Sequence, residues 1–127
     1  MEYTVLIILL ALVQYVIFTL RTGSGRVKYG IDAPRTSGDE AWERLFRVQQ
    51  NTLEQLAIFI PGAFIFGWYI TGPWVLIPGL LFLVGRQLYS MEYTKDPKTR
   101  LPGMAMTFLA NAILLGGGLI AVLLRIF

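Results

Sequence analysis

The sequence has no cysteine and no histidine, and few charges of either sign. Without cysteine there is no disulfide framework, no thiolate metal site and no cysteine nucleophile. Without histidine the commonest metal ligand and the usual general base at neutral pH are absent. No metal is expected, and any chemistry must use carboxylates, tyrosines, arginines, lysines or a thiol carried in by a ligand. Charged residues make up 15% of the 127 positions and hydrophobic ones 55%, whereas soluble domains run at about 25% charged and about 45–50% apolar. With a mean hydropathy of +0.60, disorder, coiled coil and collagen are excluded. What remains is one all-α membrane domain covering residues 1–127. The net charge of +3 is modest, so the placement of the charges matters more than their sum.

Tyr3–Leu20 is eighteen residues without a charge, interrupted only by threonines and Gln14. A bilayer core about 30 Å thick needs roughly 17–25 helical residues, so this is a membrane span. Its acidic start at Glu2 and its length are wrong for a secretory signal peptide, and it is expected to stay in the mature chain. Gln55–Gly85 is uncharged for thirty-one residues, too long for one span, and Thr71-Gly72-Pro73 supplies a turn near its middle. Each half must then borrow length from polar sequence, the first from Trp42–Glu54 and the second from Arg86–Tyr93. Leu101–Leu124 forms the last span. The expectation is a four-helix transmembrane bundle with a long first loop (about 22–41), a tight turn and a short third loop (about 94–99).

Ten of the eleven basic residues fall in or beside the first and third loops; Arg125 is the exception. By the positive-inside rule that side is cytoplasmic and both termini lie outside. Ala63/Gly67 and Ala112/Gly116 are small-residue pairs that let helices approach closely. Pro61 and Pro78 are expected to kink their helices, and Trp68, Tyr69 and Trp74 read as an interfacial belt.

Arg44, Arg47, Asn51, Glu54 and Gln55 share one face of the extended second helix. Two accounts of this stripe stand open. It is either a solvated helix end, in which Glu54 pairs with Arg47 or Asn51, or the wall of a pocket, because carboxylates within a span are costly and usually paired or functional. The third helix presents Arg86, Tyr89 and Tyr93 on one face, and Arg100 follows the Asp96-Pro97 break. Asp96 caps a turn begun by Pro97, or the fourth helix starts at Pro102; spacing leaves both open. Together these groups suit a small zwitterion with several carboxylates, since arginine forks grip carboxylates and Glu54 can take an ammonium.

The run Arg47-Val48-Gln49-Gln50-Asn51-Thr52-Leu53-Glu54, followed by Gly85-Arg86-Gln87-Leu88-Tyr89, Tyr93 and Arg100, resembles the MAPEG family, the membrane-associated proteins of eicosanoid and glutathione metabolism. Within it the chain looks most like the microsomal glutathione transferase 3 type, and the resemblance covers essentially the whole chain. It implies a homotrimer of four-helix subunits with glutathione as co-substrate at each subunit interface. Arg47, Asn51, Glu54, Tyr89 and Tyr93 match the family's glutathione contacts, with Arg26 and Gln49 as further contacts from either subunit. Arg100 matches the arginine thought to hold the sulfur as thiolate. Leukotriene-forming members carry a second arginine directly after the position of Arg26, where this chain has Val27, so leukotriene-type epoxide conjugation is not among the expectations. Gln55 stands where a tyrosine often follows the family's glutamate, so one glutathione hydrogen bond is expected to be absent or replaced.

The leading expectation is a membrane-bound glutathione transferase acting on lipophilic electrophiles that arrive from the lipid, with reduction of lipid hydroperoxides as a further activity. The alternatives are a non-catalytic lipid-binding scaffold on the same fold and a small four-span multidrug exporter. The exporter is disfavoured because the first helix has Gln14, not a glutamate, at mid-depth. Nucleic-acid binding is not expected, because the basic residues are interleaved with acids at a membrane surface. The host membrane is expected to be a bacterial inner membrane.

Overall fold

The hydrophobic stretches fold as four long helices: α1 (Glu2–Tyr29), α2 (Glu40–Tyr69), α3 (Leu76–Lys95) and α4 (Leu101–Ile126). The computed structural model describes all residues from Met1 to Phe127, and no strand is present. Short 3₁₀ turns at Pro73–Val75 and Pro97–Thr99 lead into α3 and α4.

The first loop is shorter than its polarity implies. α1 continues through Arg21, Arg26 and Lys28 to Tyr29, leaving residues 30–39 as the connection. The basic tail stays helical because it packs on the start of α2. Trp42 is fully buried and its Nε1 donates to the Thr22 carbonyl at 3.0 Å, while the Arg26 guanidinium lies 4.6 Å from the Trp42 ring centroid. Gly30 ends the helix with φ 70° and ψ 36°, a left-handed conformation that only glycine adopts without strain. Asp39 starts α2 by accepting from the Trp42 backbone N–H at 3.0 Å.

The main core lies between the helices at the level of the apolar half of α2. Phe59 of α2 and Phe82 of α3 stack with centroids 3.9 Å apart, flanked by Ile7 and Ala11 of α1 and Ala110 and Leu114 of α4. Close approach of α1 to α2 depends on Gly67, where any Cβ would collide with the Thr4 side chain. Ala63 is buried beside it. The other small-residue pair is not used within the chain: Ala112 is exposed and Gly116 has open space where a Cβ would go. Pro61 lies within α2, which continues through it. Pro78 does not kink α3, because it sits in the first turn, where the missing N–H has no intrahelical partner to lose. Trp68 and Trp74 are exposed on either side of the turn.

α1, the Pro73–Lys95 segment and α4 are long and apolar enough to cross a membrane. α2 has the length, about 45 Å for thirty residues, but its N-terminal half is polar. That half carries the polar stripe from which the candidate site is built.

Candidate functional site

A second, smaller core of Phe18, Val48 and Tyr89, with Tyr93 and Met104 packed against it, supports the polar end of the bundle. Directly beside it Arg86 is completely buried. Its Nη2 donates to Asn51 Oδ1 at 2.7 Å, tying α3 to α2, and its guanidinium lies 4.4 Å from the Tyr89 ring centroid. Nε and Nη1 are buried without a hydrogen-bond partner. No carboxylate touches it, since the two ion pairs of the chain are Met1–Glu2 and Arg44–Glu40. Glu54 is close enough to act on Arg86 electrostatically without contact. A cation held by one amide and one ring in a dry interior is expensive, and it gives this end of the bundle a fixed positive centre.

The Tyr89 and Tyr93 rings stack at 5.4 Å, one helical turn apart. Arg47 of α2 and Arg100 at the start of α4 both lie within electrostatic range of Tyr89 on α3 without bonding to it. The approach of α4 requires Gly103, where a Cβ would collide with the Tyr89 backbone. Arg100 is exposed at the N-terminus of α4, with Nη1 donating to the Pro97 carbonyl at 3.0 Å. Both readings of the Asp96-Pro97 break hold in part. Asp96 caps the 3₁₀ turn by accepting from Lys98 N–H at 3.1 Å, and α4 starts at Leu101 with Pro102 in its first turn.

The α2 stripe divides. Its inner members are bonded within the chain: Arg44 donates to the Lys95 carbonyl at 3.3 Å and to Glu40 at 2.9 Å, Asn51 accepts from Arg86, and Gln55 accepts from Asn111 of α4 at 3.1 Å. Arg47 and Glu54 are exposed. Glu54 makes no ion pair, so the pairing with Arg47 or Asn51 is not formed, while the exposure of both Arg47 and Glu54 is that of a solvated helix end. Arg26 and Gln49 are not part of the cluster. Arg26 is occupied by Trp42 and by the Arg35 carbonyl at 2.7 Å, and Gln49 donates to Thr19 Oγ1 of α1 at 3.2 Å. Beside Glu54, an apolar groove of about 470 Å³ runs between α1 and α2 past Leu12, Tyr15, Leu53 and Ile60.

The sequence left the depth of one contributor unread and did not assign another. Arg86 stood on the right helix face, but nothing local marked it as the buried member. Glu92 reaches from α3 to accept from Gly103 N–H at 3.0 Å, satisfying one of the free amides of α4. Its partner is eleven residues away and follows no capping spacing.

A family model described as the MAPEG family matches residues 4–120. An uncharacterized protein of the cyanobacterium Synechocystis is 41% identical over 93% of this chain and 86% of its own length. Human microsomal glutathione S-transferase 2 is 36% identical over 85% of this chain and 75% of its own. Mouse leukotriene C4 synthase is 30% identical over 66% of this chain and 56% of its own. The transferase named here is of type 2, where the sequence motifs looked most like type 3.

Proposed function

The chain belongs to the MAPEG family, and from that premise we propose that it is a membrane glutathione transferase that holds the glutathione sulfur as a thiolate at the polar end of the bundle. Its three apolar helices and its family make it an integral membrane protein. Relatives named as glutathione S-transferases connect it with glutathione chemistry in general.

The observation that carries the finer reading is the buried Arg86–Asn51 bond beside the Tyr89–Tyr93 stack, with Arg47 and Arg100 within electrostatic range of Tyr89 and Glu54 unpaired. Glutathione offers two carboxylates, one ammonium and one thiol. The exposed Arg47 fork suits a carboxylate and Glu54 suits the ammonium. Arg100 is anchored through one nitrogen, which leaves donors for the sulfur. A thiol with a pKa of about 8.5 is mostly protonated at neutral pH, and a nearby guanidinium shifts it toward the reactive anion. The thiol proton leaves to water. A sulfur lone pair then forms the C–S bond at the electrophilic carbon, and the bond to the leaving group breaks with its electron pair on that group. No histidine is needed.

In a homotrimer Arg26 and Gln49 act as further glutathione contacts from either subunit. Gln49 turns from the Arg47/Glu54 face to bond Thr19 of α1, which supports a ligand shared by two subunits. The lipophilic substrate enters from the lipid, and the groove beside Glu54 suits its apolar body. The basic end faces the cytoplasm of a bacterial inner membrane with both termini outside, a reading supported by the charge asymmetry and by the cyanobacterial relative.

Titrating detergent-solubilised protein with glutathione while following ultraviolet thiolate absorbance tests this. Wild type is expected to bind and to develop the thiolate signal. Arg100→Ala is expected to bind within several-fold but to lose the signal and about a hundredfold in conjugation rate. Absence of any glutathione complex at millimolar concentration defeats the proposal. Turnover of neither an electrophilic aryl halide nor a lipid hydroperoxide would assign the chain to a non-catalytic scaffold.

A further inference from the structure

Arg21 is the first charge after the Tyr3–Leu20 span. From it one face of α1 carries Arg21, Ser24, Gly25 and Lys28, at the spacings that align side chains along a helix. With Tyr29 and with Leu45 of α2 these residues line a groove of about 290 Å³. No carboxylate lines it, and both ion pairs of the chain lie elsewhere, so two cations face it without a counter-ion. Arg21 is held in place: Nη1 donates to Ser90 Oγ of α3 at 2.6 Å, and the guanidinium lies 5.5 Å from the Phe18 ring centroid. One edge of the guanidinium is thereby fixed and the other remains available.

Toward the membrane interior one edge of the same face continues through Ile17 and Leu10, four and eleven positions before Arg21, and both are exposed. Gln14, seven positions before Arg21, is bonded to the Leu83 carbonyl of α3. The two cations stand just beyond the uncharged Tyr3–Leu20 span, with exposed apolar side chains below them. Arg26 lies about 140° around the helix from Arg21, so this groove is separate from the residues assigned to glutathione and does not depend on that assignment.

We propose that this groove binds the phosphate headgroup of an anionic phospholipid, with Arg21 and Lys28 facing the phosphate and an acyl chain lying along Ile17 and Leu10. The charge pattern selects against a zwitterionic lipid, because a choline or amine would meet two cations and no acid.

The test is lipid retention by purified protein in neutral detergent, measured by native mass spectrometry during titration with phosphatidylglycerol, phosphatidylcholine or inorganic phosphate. Wild type is expected to retain phosphatidylglycerol and not phosphatidylcholine. The double variant Arg21→Gln/Lys28→Gln is expected to bind phosphatidylglycerol about thirtyfold more weakly. Ser90→Ala, which frees Arg21 without removing its charge, is expected to retain the lipid. Equal retention by the double variant and wild type overturns the proposal, as does equal retention of the two lipids. Displacement of phosphatidylglycerol by millimolar phosphate identifies a soluble anion as the occupant and overturns the lipid assignment. Should the double variant fail to fold, the exposed Lys28→Gln alone is expected to weaken retention about fivefold, and an unchanged affinity overturns the proposal equally.

Discussion

Along α2, residues Glu40–Gln55 and residues Leu56–Tyr69 meet the rest of the bundle by different means. The first half is joined through long side chains that bond to specific atoms: Arg44 to the Lys95 carbonyl, Asn51 to Arg86, Gln55 to Asn111. The second half is joined by shape, with Phe59 stacked on Phe82 and Gly67 pressed against Thr4. Hydrogen bonds of the first kind fix where functional groups stand and leave some of them short of partners. Packing of the second kind leaves nothing unsatisfied and places nothing chemical. One helix thus contributes a rigid anchor and a reactive end.

The sharpest break in this comparison is Asn51→Leu, which takes from Arg86 its single hydrogen bond while leaving the guanidinium buried. A loss of about 3 kcal/mol is expected, read as a lowered thermal midpoint in detergent. A loss below about 0.5 kcal/mol would mean the polar half is not held as described. Next is Gly67→Ala, expected to cost about 2 kcal/mol because the new methyl meets Thr4. Gly116→Ala, with open space around it, should stay within about 0.5 kcal/mol of wild type, and equal effects at the two glycines would contradict the packing assignment. Smaller than the Gly67 effect is that of Glu92→Ala, at about 1 kcal/mol for a lost helix cap. Its diagnostic readout is a weaker glutathione thiolate signal as the start of α4 loosens around Arg100, restored by Glu92→Gln, which keeps an acceptor for Gly103.

Residue pattern made some of this legible and concealed the rest. Uncharged runs and the Gly72-Pro73 turn located four helices, because hydropathy and turn chemistry act locally. Charge and hydropathy alone put the tail of α1 in a loop, because Arg21, Arg26 and Lys28 resemble loop sequence until Trp42, many residues later, packs on them. Helix periodicity brought Arg86, Tyr89 and Tyr93 onto one face but could not rank their depth, since depth depends on where α2 and α4 press. Pro78 looked like a kink only until the start of α3 was known. The Glu92–Gly103 and Gln14–Leu83 bonds join positions that no local spacing relates.

Arg86 also bears on how the chain is made. α2 is the one helix whose composition falls short of a membrane crossing, and α3 carries a guanidinium that needs Asn51 of α2 to be tolerated in a dry interior. α2 falls short on composition and α3 is apolar enough but carries Arg86, and only the short Ile70–Gly72 connection and one 3₁₀ turn separate them. During biosynthesis the two should therefore leave the translocon together as a preformed helical hairpin, its polar strut already closed before the hydrocarbon is reached.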